Sequence, residues 1–228
     1  MTRLALLLNK LEKHYGKLPP PRLTDPYLMI LFANCAYPAT DDGCTKGFDT
    51  LQREIGTGVD DILGVDDADL VRAMKGCGMF PEKRAARLRE IAWLVKSEYG
   101  GDLRTALRGP LRKARQALKR FPTIGDPGAD KILLFTGTAP IAAVPSNCVR
   151  VAHRLGYGEE KKNYAAGYRS AQEAIRAEQP GNCDALIRAH QLLKRHGQEL
   201  CKTNQPLCQR CPVSSECVWF NRDGRATA

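Results

Sequence analysis

The sequence predicts an all-α protein of about ten helices. Apolar residues recur with the helical period along most of the chain, strand-like alternation is nearly absent, and the connections are short and rich in Gly, Pro and Asp. In the first helix, leucines stand at positions 4, 7, 8 and 11 behind Thr2 as an N-cap, and the pattern ends at Gly16. Further helices are predicted, in chain order, over residues 27–35, 45–55, 66–74, 83–99, 111–121, 129–135, 147–155, 164–178 and 183–196. The small and polar residues after Phe220 are expected to form a loose tail.

The composition narrows the class of protein. The 228 residues are 43% hydrophobic and 26% charged, which is typical of a folded domain and argues against global disorder. The formal net charge of +10 favours a polyanionic partner, because each neutralised phosphate releases condensed counterions, although a solvated basic surface is the alternative. No apolar run approaches the roughly 18 to 20 residues of a membrane helix, and no cleavage site follows the apolar residues 4–8. We therefore expect a cytoplasmic protein without membrane contact, associated with the nucleoid in a bacterium.

Four of the nine cysteines crowd together near the C-terminal end of the sequence. Their spacing is C-x6-C-x2-C-x5-C, and Pro206 and Pro212 keep the intervening loops out of helix. Zinc is the alternative to an iron–sulfur cluster, but zinc sites usually show two close C-x2-C pairs and this motif has one. The spacing favours a [4Fe–4S] cluster on Cys201, Cys208, Cys211 and Cys217. The other five are too scattered for a disulfide framework: Cys35, Cys44, Cys77, Cys148 and Cys183.

The cysteine motif resembles the cluster signature of endonuclease III and the adenine glycosylases. The preceding segment, 192–201, also looks like the helix of that family that runs through His196-Gly197 into the first cysteine. The chain thus resembles the iron–sulfur branch of the endonuclease III-like helix-hairpin-helix DNA glycosylase superfamily. The resemblance implies a structural cluster beside DNA whose loops carry phosphate-binding side chains, and here those loops offer Lys202 and Arg210.

Residues 121–129, F-P-T-I-G-D-P-G-A, resemble the hairpin of that family, L-P-G-h-G-x-x-T-A. Such a tight turn leaves backbone N–H groups at the start of a helix, where a DNA phosphate can accept them. Gly125 and Ala129 match the motif, Thr123 replaces its first glycine, and Gly128 lies within it. We expect these four residues to contact DNA. A helix-turn-helix without a ligand is the alternative.

Two further segments resemble the parts of the family that enter the duplex. The turn from Cys77 to Phe80 stands where the family inserts an apolar wedge beside a flipped base, and Met79 is the wedge candidate, followed by the basic Lys83. Cys35 stands where a family glutamine fills the duplex gap, and two extra residues follow before residue 41. The resemblance makes Cys35, Met79 and Lys83 DNA-binding candidates.

The catalytic residues of the family are absent. In relatives an aspartate, joined in the lyases by a lysine just after the hairpin glycine, acts on the sugar of the flipped nucleotide. An ungapped register puts Pro127 at the lysine position and Pro145 at the aspartate position, and neither ring can attack a sugar or carry charge. Lys131, one helical turn beyond Pro127, is a substitute candidate, with Asp126 or Asp130 as a carboxylate. The alternative is that Lys131 is a surface residue.

The resemblance implies two helical domains flanking a DNA-binding cleft. A helical-barrel domain with the hairpin would occupy residues 27–137, and a discontinuous iron–sulfur domain would comprise residues 1–26 and 138–228. The implied partner is damaged, abasic or distorted double-stranded DNA, bound by a monomer. Two functions stay open: a glycosylase or abasic-site lyase with a rearranged active site, and a non-catalytic protein that recognises a lesion or a DNA structure.

Overall fold

The computed structural model describes residues 1–36, 41–178 and 181–222, and within these ranges the chain forms helices and no strands. The all-α prediction is therefore confirmed. The α-helices are α1 Arg3–Tyr15, α2 Pro26–Ala36, α3 Asp41–Glu54, α4 Val59–Gly64, α5 Asp67–Met74, α6 Pro81–Tyr99, α7 Leu111–Leu118, α8 Asp126–Phe135, α9 Ser146–Arg154, α10 Tyr164–Glu178, α11 Cys183–Glu199 and α12 Val218–Asn221. Short 3-10 turns occupy Leu103–Leu107, Cys208–Arg210 and Ser214–Glu216. Most of the tail expected after Phe220, and the positions of the two extra residues before residue 41, lie outside the described residues.

The chain divides into two compact units. The hairpin unit is Arg22–Ile132, and the terminal unit combines Met1–Pro21 with Leu133–Ala228. The domain roles inferred from the family resemblance stay a prediction. No helix among the described residues is long and apolar enough to cross a membrane.

In the hairpin unit, α2 packs against α3 and α6. The core includes Ile30, Leu51, Leu88 and Ile91, all without solvent exposure, and each such side chain contributes about 1.5–3 kcal/mol on burial. Helix α6 begins with a proline at its first position, where the missing N–H costs nothing, and it ends at Gly100 in the left-handed conformation with φ 62°. These two signals fix both ends of the longest helix of the unit.

In the terminal unit, α1 packs against α10 and α11, and α9 packs against α11. The α1 leucines at positions 4, 7, 8 and 11 are buried, and the Thr2 hydroxyl accepts a hydrogen bond from the Ala5 N–H at 3.2 Å, as the sequence predicts. Helices α9 and α11 approach closely at Gly197, where a Cβ would lie 2.8 Å from the backbone oxygen of Asn147. This approach positions the end of α11, from which the cysteine motif continues.

Candidate cluster site and hairpin

The cysteine motif follows α11 as a compact coil. The Cys201 N–H donates to the His196 carbonyl at 2.8 Å, and the Leu207 N–H donates to the Leu200 carbonyl at 2.9 Å, which closes the first loop. The two 3-10 turns then carry the chain past Cys208 and Cys211. All four cysteines of the motif line one cavity in the terminal unit.

The arrangement of the sulfurs bears on which metal would fit. Around one zinc ion, with Zn–S bonds of about 2.3 Å, four thiolates must crowd within roughly 4 Å of one another. Among the described residues, no three Cys, His, Asp or Glu side chains are placed to hold a single ion. The four cysteines line a common cavity, and zinc and a multi-iron cluster can each take four thiolate ligands.

Two arginines of α9 brace the start of the cysteine motif. The Arg154 guanidinium donates to the Cys201 sulfur at 3.4 Å and to the Lys202 carbonyl at 2.7 Å. Arg150 donates to the Cys201 carbonyl at 2.9 Å and to the Gly197 carbonyl at 2.7 Å. These bonds place a guanidinium beside the Cys201 sulfur and hold the backbone at the start of the motif.

A buried histidine contacts the third cysteine. His196 Nε2 lies 3.5 Å from the Cys211 sulfur, and His196 Nδ1 lies 2.9 Å from the Tyr15 hydroxyl. Burial lowers the pKa of His196 to about 4, so the ring is neutral at pH 7 and can accept from Tyr15 while donating its Nε2–H to the sulfur. Burial also raises the pKa of the Cys211 thiol to about 11, and coordination by a metal would ionise it.

The hairpin lies between α7 and α8 in the hairpin unit. The Ile124 N–H donates to the Phe121 carbonyl at 3.2 Å, and the Ala129 N–H donates to the Gly125 carbonyl at 2.9 Å. Thr123 adopts φ 66°, in the left-handed region that costs an L-residue about 1–2 kcal/mol. This explains why the family motif has glycine there.

A buried asparagine holds this turn in place. The Asn34 amide, fully buried in α2, donates to the Pro122 carbonyl at 3.0 Å and to the Ile30 carbonyl at 2.9 Å. It also accepts from the Thr123 hydroxyl at 3.2 Å. Asn34 was not singled out in the sequence analysis, because its partners in the hairpin lie almost ninety positions away.

The hairpin candidates for DNA contact differ in exposure. Thr123 and Gly125 are exposed, Gly128 is half-buried and Ala129 is fully buried. Pro127 is the second residue of α8 and has no N–H. The first turn of α8 therefore offers a phosphate one backbone N–H donor fewer than a helix without proline would. Contact of the four residues with DNA stays a prediction.

The wedge candidate lies on an exposed turn. Met79 is 66% exposed and Lys83 is exposed, whereas Cys35 is fully buried, so direct contact of Cys35 with DNA would require it to become accessible. Phe80, the last residue of this turn, was not expected as a second wedge; it is 57% exposed, adopts φ 58° and lies under the Lys83 ammonium at 5.1 Å. A bulky residue held in the left-handed region beside a second exposed apolar residue is the signal, and only the structure reveals it. Lys202 and Arg210 are also exposed, on the cysteine loops of the terminal unit.

The carboxylates near the hairpin are engaged in ion pairs. Asp130 is fully buried and accepts from the Arg115 guanidinium at 2.6 Å, while Asp126 lies 2.6 Å from the Lys119 ammonium. Lys131 is half-buried on α8. A relocated active site would have to free one of these carboxylates.

The proline at the position of the family aspartate stands at the start of α9. Pro145 is the N-cap residue of α9, immediately before Ser146. A proline has no side-chain acceptor, and no side-chain cap bond is made there. At this position the chain therefore presents no carboxylate.

Comparison with known proteins finds sequence relatives that are named endonuclease III or thymine-DNA glycosylase. No protein-family model matches the chain. It is 23% identical over 202 residues to an endonuclease III of Thermotoga maritima, covering 89% of this chain and 87% of that protein. It is 24% identical to an endonuclease III of Sulfolobus acidocaldarius, covering 85% and 82%. It is 28% identical to a thymine-DNA glycosylase of Aeropyrum pernix, covering 62% and 60%.

Solved structures share the fold. An endonuclease III in a non-covalent DNA complex superposes with a TM-score of 0.75 at 17% identity, covering 99% of this chain and 100% of that one. A thermostable thymine-DNA glycosylase superposes with a TM-score of 0.73 at 21% identity, covering 95% and 94%. The chain is thus similar in sequence to proteins named endonuclease III and thymine-DNA glycosylase, and it shares the all-helical fold of the solved structures.

Proposed function

We propose that this protein binds damaged or distorted double-stranded DNA in base-excision repair and holds a [4Fe–4S] cluster on its four C-terminal cysteines. The relatives named endonuclease III and thymine-DNA glycosylase support the repair role. The net charge of +10 supports a polyanionic partner. The observation that carries the proposal is the hairpin, whose exposed turn is held by Asn34 through the Pro122 carbonyl and the Thr123 hydroxyl. We expect a monomer, in the compartment that holds the DNA.

Each unit supplies its own contacts in this proposal. In the hairpin unit, the exposed backbone at Thr123 and Gly125 would bind a phosphate, and Met79 with Phe80 would enter the base stack. In the terminal unit, Lys202 and Arg210 would bind phosphates.

The cluster would have a structural role. Cys201, Cys208, Cys211 and Cys217 would be its ligands, and binding would fix the loop that carries Lys202. The bound group would supply a rigid, electron-accepting centre. The chain orients its ligands through Arg154 and His196, each of which contacts a ligand sulfur.

Non-catalytic recognition is the function that the hairpin unit supports best. Pro127 and Pro145 cannot perform the family chemistry, and Asp130 and Asp126 are held in ion pairs. An abasic-site lyase using Lys131 is the second candidate, favoured by the position of Lys131 one turn beyond Pro127 on α8. In that reaction the amine would attack the anomeric carbon and form a Schiff base.

A panel of lesion, abasic, mismatched and branched duplexes tests the proposal. We expect tighter binding to at least one distorted duplex than to a matched one, no base release, and no borohydride-trapped adduct. An adduct that disappears in Lys131→Ala would establish the lyase instead. Equal affinity for every duplex would contradict recognition of damage.

Salt dependence tests the phosphate contacts separately. Replacing both Lys202 and Arg210 with alanine should reduce the slope of log K against log salt by about 2, at about 0.9 per phosphate contact. The matched control replaces the exposed pair Lys161 and Lys162 and should leave the slope unchanged. Equal slopes for the two double variants would contradict the proposal that the cysteine loops contact DNA phosphates.

A further inference from the structure

Three cysteines from separate parts of the hairpin unit converge in its interior. Cys35 lies on α2, Cys44 on α3 and Cys77 in the turn after α5, and all three are buried. A Cβ added to Gly47 would lie 3.0 Å from the Cβ of Cys35 and 3.2 Å from the Cβ of Cys77. The distance between the Cβ atoms of Cys35 and Cys77 therefore cannot exceed the sum of these two distances. A disulfide requires about 3.5–4.5 Å between Cβ atoms. That upper bound lies above the disulfide range, so a bond between Cys35 and Cys77 would require their Cβ atoms to approach each other.

The turn that carries Cys77 can make such a movement. Gly76 and Gly78 flank the cysteine with φ values of 81° and 136°, conformations that are open to glycine without strain. Cys77 is 7% exposed, whereas Cys35 is fully buried. A small oxidant would therefore meet Cys77 first.

A buried arginine lies on α6, which packs against α2 and α5, the helices that carry Cys35 and lead into Cys77. Arg84 on α6 is 1% exposed, and among the described residues its Nε and Nη2 atoms have no hydrogen-bond partner. An unpaired guanidinium in the interior costs several kcal/mol, and its charge cannot be removed because arginine stays protonated. The position therefore favours an anion at the neighbouring sulfurs.

The electrostatics agree with this placement. Burial raises the pKa of Cys35. The neighbouring Cys44 and Cys77 raise this pKa further, whereas Arg84 acts to lower it. Burial also raises the pKa of Cys77, and Arg84 again opposes the shift, while Glu54 raises it and a hydrogen bond with Thr50 lowers it. Arg84 is thus the cation that counters burial at both sulfurs.

We propose that Cys35 and Cys77 form a peroxide-responsive disulfide centre, with Arg84 as the residue that stabilises its anionic sulfur. In the first step Cys77 gives up its proton and the thiolate attacks hydrogen peroxide; an S–O bond forms, the O–O bond breaks, and the displaced hydroxide takes up the proton and leaves as water, so that Cys77 becomes a sulfenic acid. In the second step the Cys35 thiol attacks that sulfur, an S–S bond forms and a second water leaves. The two thiols lose two electrons, and the peroxide accepts them.

The product would join two structural elements. The bond would tie α2 to the turn that leads into Met79 and Phe80. Oxidation would therefore restrain the exposed apolar turn. This centre is distinct from the four C-terminal cysteines and does not depend on the proposed DNA function.

Peptide mapping after peroxide treatment tests the proposal on the full-length protein. The reduced protein is treated with increasing hydrogen peroxide, its remaining thiols are alkylated, and it is digested without reduction. We expect a Cys35–Cys77 crosslinked peptide, lighter by two hydrogens, at peroxide levels that leave the partly exposed Cys183 reduced. Thiols at 35 and 77 that stay reduced after Cys183 is oxidised, or a bond to Cys44 instead, would overturn the assignment.

Variants at Arg84 separate the electrostatic role from a packing role. Arg84→Met should slow disulfide formation about tenfold for each pKa unit by which the thiols rise, while Arg84→Lys should keep most of the rate. The pH at which the rate is half-maximal should rise in Arg84→Met alone. Arg84→Met should also unfold no more readily than the unmodified protein, because it removes an unpaired buried charge. An unchanged pH profile in a folded Arg84→Met protein would contradict the role given to the arginine.

Discussion

Replacing Asn34 with alanine should weaken the hairpin more than any change in the turn itself. The variant loses three hydrogen bonds, to the Ile30 carbonyl, the Pro122 carbonyl and the Thr123 hydroxyl. At about 1 kcal/mol each, the loss is about 3 kcal/mol of unfolding free energy, because water does not replace partners at a fully buried site. Urea denaturation should show a lower midpoint with an unchanged slope.

Thr123→Gly is the matched control within the same turn. It relieves about 1–2 kcal/mol of left-handed strain, but it loses one hydrogen bond of about 1 kcal/mol and adds about 0.5–1 kcal/mol of backbone entropy. The terms nearly cancel, so its stability should stay within about 1 kcal/mol of the unmodified protein. A loss below 1 kcal/mol in Asn34→Ala, or a larger loss in Thr123→Gly, would refute the role given to Asn34.

Three further substitutions test other contacts. Arg115→Met should cost about 3 kcal/mol of unfolding free energy, because it takes the arginine from a fully buried carboxylate, and Asp130→Asn combined with it should recover part of the loss in urea denaturation. Gly197→Ala should cost about 1–3 kcal/mol of unfolding free energy and reduce the iron content, because its Cβ would press on the backbone of Asn147. Gly64→Ala is the control, because a Cβ there would have nothing within 4 Å. It should be nearly neutral in the same denaturation and iron assays. Met79→Ala should weaken binding to a distorted duplex about tenfold in a titration, whereas Trp93→Ala, at another exposed apolar residue of the same unit, should not.

The helices that the sequence predicts well have strong local signals. Helix α1 follows from its leucine spacing and its threonine cap, and both features are present in the structure. Helix α4 was missed because it has six residues and buries only Ile62, which is too little to produce a periodic pattern. Helix α8 begins three residues earlier than expected, at Asp126, because Pro127 is compatible with the first turn of a helix.

In the candidate site, too, the sequence predicts local features but not contacts between distant residues. The cysteine motif is local, so its spacing alone brings together the four residues that line the cavity. The partners of this motif and of the hairpin are distant in sequence: Arg154 for Cys201, and Asn34 for Thr123. The ion pair between Arg115 and Asp130 also joins two helices, and it makes the carboxylate unsuitable as a relocated catalytic group. Such contacts depend on packing, which a single sequence does not display.

The iron and sulfide content of the protein tests the central claim most directly. The protein is purified without oxygen, as the unmodified chain, as Cys211→Ser and as the control Cys183→Ser, whose cysteine lies outside the motif. The cluster assignment predicts four irons and four sulfides per chain in a brown protein, the same in Cys183→Ser, and a loss of both in Cys211→Ser. A colourless protein that holds one zinc and no sulfide would contradict it.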